Sequence, residues 1–166
     1  MKEIEFKIKG LMMDPLTNSP IVVLQDTASD TLLPIWVGIF EANAIALQIE
    51  KVDTPRPMTH DLMKGLLGHL NAKVTKIVVT ELKDNTFYAL IFLSVDGKVI
   101  TVDSRPSDAI ALALRTESPI FVTDEVIAKS STTTASSPLS SEHSSPEDIK
   151  QWLENLNPDD LPKYRM

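Results

Sequence analysis

Two short arginine-proline motifs each stand directly before an apolar run with helical spacing: RPMTHD at residues 56–61 and RPSD at residues 105–108. Each motif places a guanidinium, a hydroxyl and a carboxylate at the start of a helix. The first turn of a helix offers unpaired N–H groups and a partial positive charge, which suit phosphates and other anions. Two such helix starts in one small domain predict a phosphate-handling site. The alternative is that Thr59, Ser107 and the aspartates cap helices while the arginines pair with acids.

The acids and one histidine in and near these motifs are the catalytic candidates. His60 lies in the first turn of a helix, a poor place for a protonated imidazole, so we expect a neutral ring unless an anion or carboxylate lies near. Glu41 stands early in another helix among apolar residues, so it is either half-buried with a partner or directed into a cleft. The predicted catalytic residues are Glu41, His60, Asp61, Asp103 and Asp108, and the predicted substrate-binding residues are Arg56, Thr59, Arg105 and Ser107.

Three of the carboxylates, on Asp61, Asp103 and Asp108, stand at a strand end or at helix starts. Carboxylates in such places can converge on Mg²⁺ or Mn²⁺, which would polarise a phosphodiester and activate water. Alternatively, Asp103 pairs with Arg105 and Asp61 pairs with Arg56, which would lock the two helix starts. The spacing does not decide between a metal site and ion pairs. Glycine motifs for nucleotide phosphates are absent, so we expect no organic cofactor.

The composition limits the kind of protein and partner. The 166 residues contain no cysteine and carry a net charge of −7, which argues against a broad surface for coating nucleic acid. Any contact with nucleic acid should therefore be local and weak. The charged N-terminus does not resemble a signal peptide, and no apolar run approaches the roughly 18–20 residues that span a bilayer. We expect a cytoplasmic protein that does not enter the membrane.

Hydrophobic spacing predicts the elements that position these residues. An α+β fold is expected, with helices packed on a mixed, largely antiparallel sheet. Residues 87–93 are almost wholly apolar, which predicts a central strand covered on both faces. The helix from His60 to Asn71 is expected to bury a stripe formed by Leu62, Leu66, Leu67 and Leu70. Predicted strands are 3–13, 21–24, 32–36, 73–82, 86–95, 98–103 and 119–122, and predicted helices are 38–51, 60–71 and 106–115.

The two halves of this region repeat the order of three strands and a helix. The sequence AIAL occurs at residues 44–47 and again at 109–112, where a third strand turns into an alanine-rich helix. This repetition predicts the duplication of a β-β-β-α unit. The domain is expected to span residues 1–129. The Ser- and Thr-rich composition of residues 130–145 predicts a disordered linker. Residues 146–166 are expected to form a short amphipathic helix and a tail. Docking of that helix on its own domain or a neighbouring subunit is expected to use Trp152.

Three longer phrases carry a resemblance to a known family. They are LPIWVG at residues 33–38 followed by Glu41, RPMTHDL at 56–62, and DSRPSDAIALALR at 103–115. Together they resemble the bifunctional nuclease family over about residues 3–128, with Ser104 in place of an expected alanine. The resemblance implies a compact α+β domain, a homodimer, and hydrolysis of both DNA and RNA. All nine candidate site residues fall at motif positions of the family.

Two functions remain open at this point. The first is a nuclease of low sequence specificity, in which Arg56 and Arg105 hold phosphate, the acids bind a metal ion or act as bases, and His60 assists proton transfer. The second is a non-enzymatic binding module, in which the same helix starts recognise a small anion, a nucleotide or a protein partner. The acidic composition supports the binding module more strongly than resemblance to a nuclease family would suggest.

Overall fold

A computed structural model describes residues 1–134, in which one seven-stranded sheet carries the helices. This is the predicted α+β class. The strands are β1 (Glu3–Met13), β2 (Pro20–Asp26), β3 (Leu32–Trp36), β4 (Ala72–Lys83), β5 (Thr86–Val95), β6 (Lys98–Ser104) and β7 (Ile120–Thr123). The helices are α1 (Ile39–Ile49), α2 (Thr59–His69), α3 (Pro106–Thr116) and α4 (Asp124–Thr134).

The sheet consists of two antiparallel meanders joined through β7, in the order β3-β2-β1-β7-β4-β5-β6. Every pairing is antiparallel except that of β4 with β7, which makes the sheet mixed. Asp96 and Gly97 both have positive φ angles, of 49° and 75°, as a tight two-residue hairpin requires. Each meander leads into a helix, as the sequence predicts, while the duplication itself stays a prediction.

Helix α3 lies at the centre of the helical layer, between α1 and α2 and against β4 and β5. Its residues Ala109–Ala113 are all at most 1% exposed, because neighbours cover the helix on several sides. Alanine side chains let those neighbours approach closely. Arg105 is the residue before the helix and Pro106 is its first residue, where a proline costs no hydrogen bond. The helix is therefore buried on more than one side.

Two expectations about burial are wrong. Strand β5 is second from the sheet edge and is covered mainly on one face, since Ala89, Ile91 and Leu93 are buried while Tyr88 is 41% exposed. Its alternation is masked in the sequence because both faces carry apolar side chains. Helix α2 is rotated relative to the predicted stripe: Leu67 packs against the core as expected, but Met63 accompanies it in place of the other three leucines. The exposed fractions of Leu62, Leu66 and Leu70 are 55%, 55% and 70%.

The C-terminal boundary also differs from the expectation. Helix α4 starts in the main domain and extends into the Ser/Thr-rich stretch as far as Thr134. Residues 130–134 of the predicted linker are therefore helical. The rest of that linker and the predicted helix with Trp152 lie outside the described residues. Within the described part of the chain, no helix has the length and apolar character needed to cross a bilayer. The cytoplasmic location stays a prediction.

Candidate active site

The starts of α2 and α3 meet through a direct side-chain contact. Nε2 of His60 lies 2.9 Å from Oδ1 of Asp108, although 48 positions separate them in sequence. Both residues stand in the first turn of their helices, and His60 is only 7% exposed. Asp108 is therefore the nearby carboxylate that a charged His60 ring requires at this position. The two arginine-proline motifs contribute to one site, which is the arrangement that the sequence predicts.

Arg105 extends this contact to helix α1. Its Nε donates to Oδ2 of Asp108, and one terminal nitrogen forms an ion pair with Oε1 of Glu41, both at 2.7 Å. Gly38, directly before α1, leaves the room that Glu41 needs, because a Cβ at position 38 would collide with the Glu41 carboxylate. We call Glu41, Arg105, Asp108 and His60 the four-residue network.

Two groups of the four-residue network remain open to solvent. The Arg105 side chain is 64% exposed and uses only two of its five N–H donors within the network. The second ring nitrogen of His60, Nδ1, has no hydrogen bond in the described part of the chain. Since every fully buried side-chain nitrogen or oxygen there has a hydrogen-bond partner, this nitrogen keeps some accessible surface, although His60 as a whole is only 7% exposed. The network thus presents a guanidinium edge and an imidazole nitrogen outward.

A second ion pair, which sequence reasoning missed, lies beside the network. Nε of Arg115, near the end of α3, donates to Oδ1 of Asp61 at 2.7 Å. Its other nitrogens donate to the backbone carbonyls of Ala111 and Ala44, so one guanidinium joins α1, α2 and α3. Oδ2 of Asp61 accepts from the N–H of Met58. Arg115 stands in the last turn of a helix, where a basic residue is ordinary, so no local signal marks it.

The electrostatics of the site favour charged carboxylates. Partial burial by itself would raise the pKa of Asp108, but the hydrogen bonds from Arg105 and His60 bring that pKa below its ordinary value. Burial likewise opposes ionisation of Asp61, and the Met58 N–H and the Arg115 guanidinium lower its pKa overall. The hydrogen bonds to Asp108 and Glu41 raise the pKa of Arg105. The carboxyl groups of Asp61 and Asp108 are therefore charged at neutral pH.

The lowered carboxyl pKa values predict a loss of stability in acid. Asp61 and Asp108 bind protons less readily in the folded than in the unfolded chain, so their contribution is complete above the ordinary pKa of 3.8 and is lost as the pH falls further. Urea unfolding between pH 7 and pH 3 should show this decline, and Asp108→Asn should reduce it. Asp103→Asn, which removes an exposed carboxylate, is the control and should decline as the wild type does. An equal decline in all three proteins would contradict the assignment.

The remaining predicted site residues lie outside the network. Asp103 pairs with Leu90 across the β5–β6 ladder, and Leu90 alternates with the core-facing residues of β5, so Asp103 projects from the sheet face away from the helices. Thr59 is exposed as the first residue of α2 and does not cap it, whereas Ser107 is buried. Arg56 is exposed in the loop before α2 and lines a cavity. The proposed pairings of Asp103 with Arg105 and of Asp61 with Arg56 are not the ones formed.

The carboxylates near α2 and α3 are poor ligands for a divalent ion as they stand. Glu41, Asp61 and Asp108 each hold an arginine, and Asp103 faces elsewhere. The described residues contain no group of three His, Asp or Glu side chains suited to hold an ion. These donors fit ion pairs better than a metal centre. The binding of Mg²⁺ or Mn²⁺ by Asp61, Asp103 and Asp108 stays a prediction.

Comparison with known proteins agrees with the resemblance noted in the sequence. The profile of the bifunctional nuclease domain matches residues 22–135. A protein of Mycobacterium tuberculosis described as uncharacterized is 35% identical over 163 residues, covering 95% of this chain and 97% of its own length. A bifunctional nuclease of Oryza minuta is 28% identical over 156 residues, or 92% of this chain. Bifunctional nuclease 2 of Arabidopsis thaliana is 29% identical over 108 residues. The aligned parts are 47% and 33% of these plant proteins.

Proposed function

The chain belongs to the bifunctional nuclease domain family, and on that premise we propose that it hydrolyses phosphodiester bonds of DNA and RNA with low sequence specificity. The observation that carries this proposal is the meeting of the α2 and α3 starts in the four-residue network. An arginine with free donors and a histidine with a free ring nitrogen stand together there, beside a fixed carboxylate. Phosphodiester hydrolysis needs both an anion-binding group and a base.

Arg105 supplies the binding of the phosphate in this mechanism. Its unused N–H donors point to solvent and match the geometry of two phosphate oxygens. Glu41 and Asp108 hold the guanidinium in place from two sides, so little reorganisation is needed when a phosphate arrives. Negative charge that develops on the phosphoryl oxygens during attack is then stabilised by the same group.

His60 supplies the base. Asp108 binds Nε2 and fixes the orientation of the ring, which leaves Nδ1 to take a proton from a water molecule or, in RNA, from a 2′-hydroxyl. The oxygen that loses this proton forms the new bond to phosphorus, and the bond to the leaving oxygen breaks. The leaving oxygen is protonated from His60 or solvent. Neither Arg105 nor His60 would read a base, which explains low sequence specificity.

The charge of the protein sets the character of nucleic-acid binding. With a net charge of −7, only the local positive charge of the arginines favours a nucleic-acid strand, and the surrounding surface repels it. Binding should therefore be weak and should weaken further as salt is added. Short or single-stranded substrates, which bring fewer phosphates near the acidic surface, are the favoured ones.

The test is cleavage of single- and double-stranded DNA and RNA by highly purified protein, with Mg²⁺, with Mn²⁺ and with EDTA. Cleavage that disappears in a variant lacking the His60 base supports the proposal, and cleavage in EDTA would show that the chain's own residues suffice. Equal cleavage by wild type and variant contradicts the proposal, because the cleavage then does not depend on His60. Dependence on Mg²⁺ or Mn²⁺ would instead support the metal prediction.

The alternative function is a binding module without catalysis. Its support is that Glu41, Asp61 and Asp108 are each held by an arginine, an arrangement that also serves to lock helix starts. This function predicts binding of a small anion, a nucleotide or a protein partner with no bond cleavage under any metal condition. The same cleavage assay, combined with a binding measurement on the same oligonucleotides, separates the two functions.

We also propose that the chain forms a homodimer through α2. Met58, Leu62, Leu66 and Leu70 follow at intervals of four, which places them on one face of the helix, and all four are exposed. Beside this ridge, Gly65 and Gly68 line a shallow groove, and a Cβ at either glycine would meet nothing within 4 Å. A ridge beside a groove is self-complementary when two copies pack about a two-fold axis.

The glycines support a second copy as the occupant of this face. Each glycine inside a helix costs about 1 kcal/mol relative to alanine, and no contact within the described residues requires either one. A partner helix that packs its leucines into the groove would require both. An exposed leucine ridge without a partner would be unusual on a soluble monomer.

Leu66→Glu is expected to convert the dimer into a monomer, because it would bury a charge at the centre of the ridge. Light scattering after size-exclusion chromatography should give twice the 18.4 kDa chain mass for the wild type and the single chain mass for the variant. Leu16→Glu changes another exposed leucine, in the β1–β2 turn, and should leave the dimer intact. A monomeric wild type, or a dimeric Leu66→Glu, would rule out this interface.

A further inference from the structure

A cavity of about 300 Å³, not used by the mechanism above, opens between the end of α1, the loop before α2 and the C-terminal part of α3. Leu47 and Val52 supply apolar wall, and Gln48, Asp53 and Arg56 supply polar groups. Ligand sites for small molecules start at about this volume. The cavity therefore has room for one small ligand that carries both an apolar surface and polar groups.

The polar groups of the cavity divide into those already bonded and those available. Asp61 and Arg115, which also line it, neutralise each other and have their remaining hydrogen bonds to the backbone. The side chains of Gln48, Asp53 and Arg56 make no hydrogen bond or ion pair within the described residues. A ligand thus meets an amide, a carboxylate and a guanidinium that are all available for hydrogen bonding.

We infer that this cavity binds one ribonucleotide unit when the substrate strand is RNA. The inference rests on the proposed nuclease function and adds a substrate subsite to it. A base is a flat apolar surface with a polar edge, which suits Leu47 and Val52 together with the Gln48 amide. Sugar hydroxyls suit a carboxylate such as Asp53, and a phosphate suits the Arg56 guanidinium. A free anion such as inorganic phosphate would use only Arg56 and would leave most of the cavity empty.

The position of the cavity relative to the four-residue network agrees with a subsite. His60 and Asp61 are neighbours on α2, but His60 contacts Asp108 at the start of α3, whereas Asp61 contacts Arg115 seven positions later. Seven residues of helix correspond to about 10 Å. A nucleotide held in the cavity would therefore place a neighbouring linkage of the same strand close to Arg105 and His60.

The test is calorimetric titration of the full chain with adenosine 5′-monophosphate, adenosine and inorganic phosphate, each without turnover. Arg56→Gln should weaken binding of the monophosphate by about tenfold and leave adenosine binding nearly unchanged, because it removes only the phosphate contact. Gln48→Leu, of similar size, should weaken both by several-fold. Lys98→Gln removes the same charge as Arg56→Gln on the distant strand β6 and should change neither affinity.

Three results would overturn the subsite: inorganic phosphate that binds as tightly as the monophosphate, monophosphate binding that is unaffected by either cavity variant, and a wild type that does not bind the monophosphate. These results are separate from the cleavage assay. A chain that binds the monophosphate in the stated way but cleaves nothing retains the cavity assignment and loses the nuclease proposal. A chain that cleaves normally but fails the titration loses the subsite alone.

Discussion

Arg115→Ala is expected to lower the free energy of unfolding by about 3–5 kcal/mol, the largest stability effect of any single substitution considered for this domain. Arg115 is 5% exposed, and its guanidinium bonds to Asp61 and to the carbonyls of Ala111 and Ala44. Removing it takes the side-chain donor from two helical carbonyls and leaves a half-buried carboxylate without its counter-charge. Since the whole free energy of unfolding of a domain is about 5–15 kcal/mol, this substitution would remove a large share of it and lower the melting temperature. Urea unfolding followed by circular dichroism measures the difference.

Two further variants separate geometry from charge in this prediction. Arg115→Lys keeps the positive charge, but a single ammonium group cannot reach the three acceptors that the planar guanidinium reaches. Its free energy of unfolding should therefore lie between those of the alanine variant and the wild type. Arg56→Ala removes an exposed arginine that makes no ion pair within the described residues and should change stability by less than about 0.5 kcal/mol. Equal unfolding midpoints for wild type and Arg115→Ala would contradict the role of Arg115 in joining the helices.

The sequence predicts the elements well because their signals are local. Strand β1 follows from the alternation of apolar and charged residues over 4–9, and α3 follows from a proline start and an alanine-rich run. The contact between Arg105 and Asp108 was not predicted, because the expected partner of Arg105 was Asp103, although residues three apart at a helix start can touch. Position within the sheet is different: β5 reads as a central strand because it is apolar on both faces, and only the assembled order shows that it lies next to the edge.

The rotation of α2 explains why the site was only partly predictable. The predicted stripe contained every leucine of the helix, but only Leu67 packs against the core, together with Met63. The contacts of His60 with Asp108 and of Asp61 with Arg115 turn these two side chains to the core. Both contacts join residues about 50 positions apart, so no local pattern contains them. The same rotation exposes the leucine ridge and brings the catalytic candidates of α2 to α3.

These observations give the helix starts two connected tasks. The Asp61–Arg115 pair fixes the orientation of α2, and that orientation puts His60 within reach of Asp108. The stability of the helical layer and the geometry of the four-residue network therefore depend on the same rotation. Variants of Arg115 should therefore lose stability and cleavage activity together, whereas variants of the network should lose activity while remaining folded.

His60→Gln is expected to reduce kcat/KM for phosphodiester cleavage by about 10²–10⁴-fold, the size of effect typical for loss of a general base. Glutamine is close in size to histidine, and its amide can still donate to Asp108, so the helix starts stay together. It lacks a nitrogen that can take a proton at neutral pH. The loss should appear in kcat with little change in KM, since Arg105, which binds the phosphate, is untouched. Steady-state cleavage of a short labelled RNA, with unfolding measured on the same preparation, gives both numbers.

Asp108→Asn and Lys98→Gln complete the comparison. Asp108 touches His60 but not the substrate, so its amide variant should lose less activity than His60→Gln and should shift the pH dependence of cleavage, because the fixed charge beside the ring is gone. Lys98→Gln changes a charge on β6 and should cleave as the wild type does. If His60→Gln retains full activity while folded, the imidazole is not the base. If Asp108→Asn lowers activity without moving the pH profile, its carboxylate serves the fold and not the orientation of the catalytic ring.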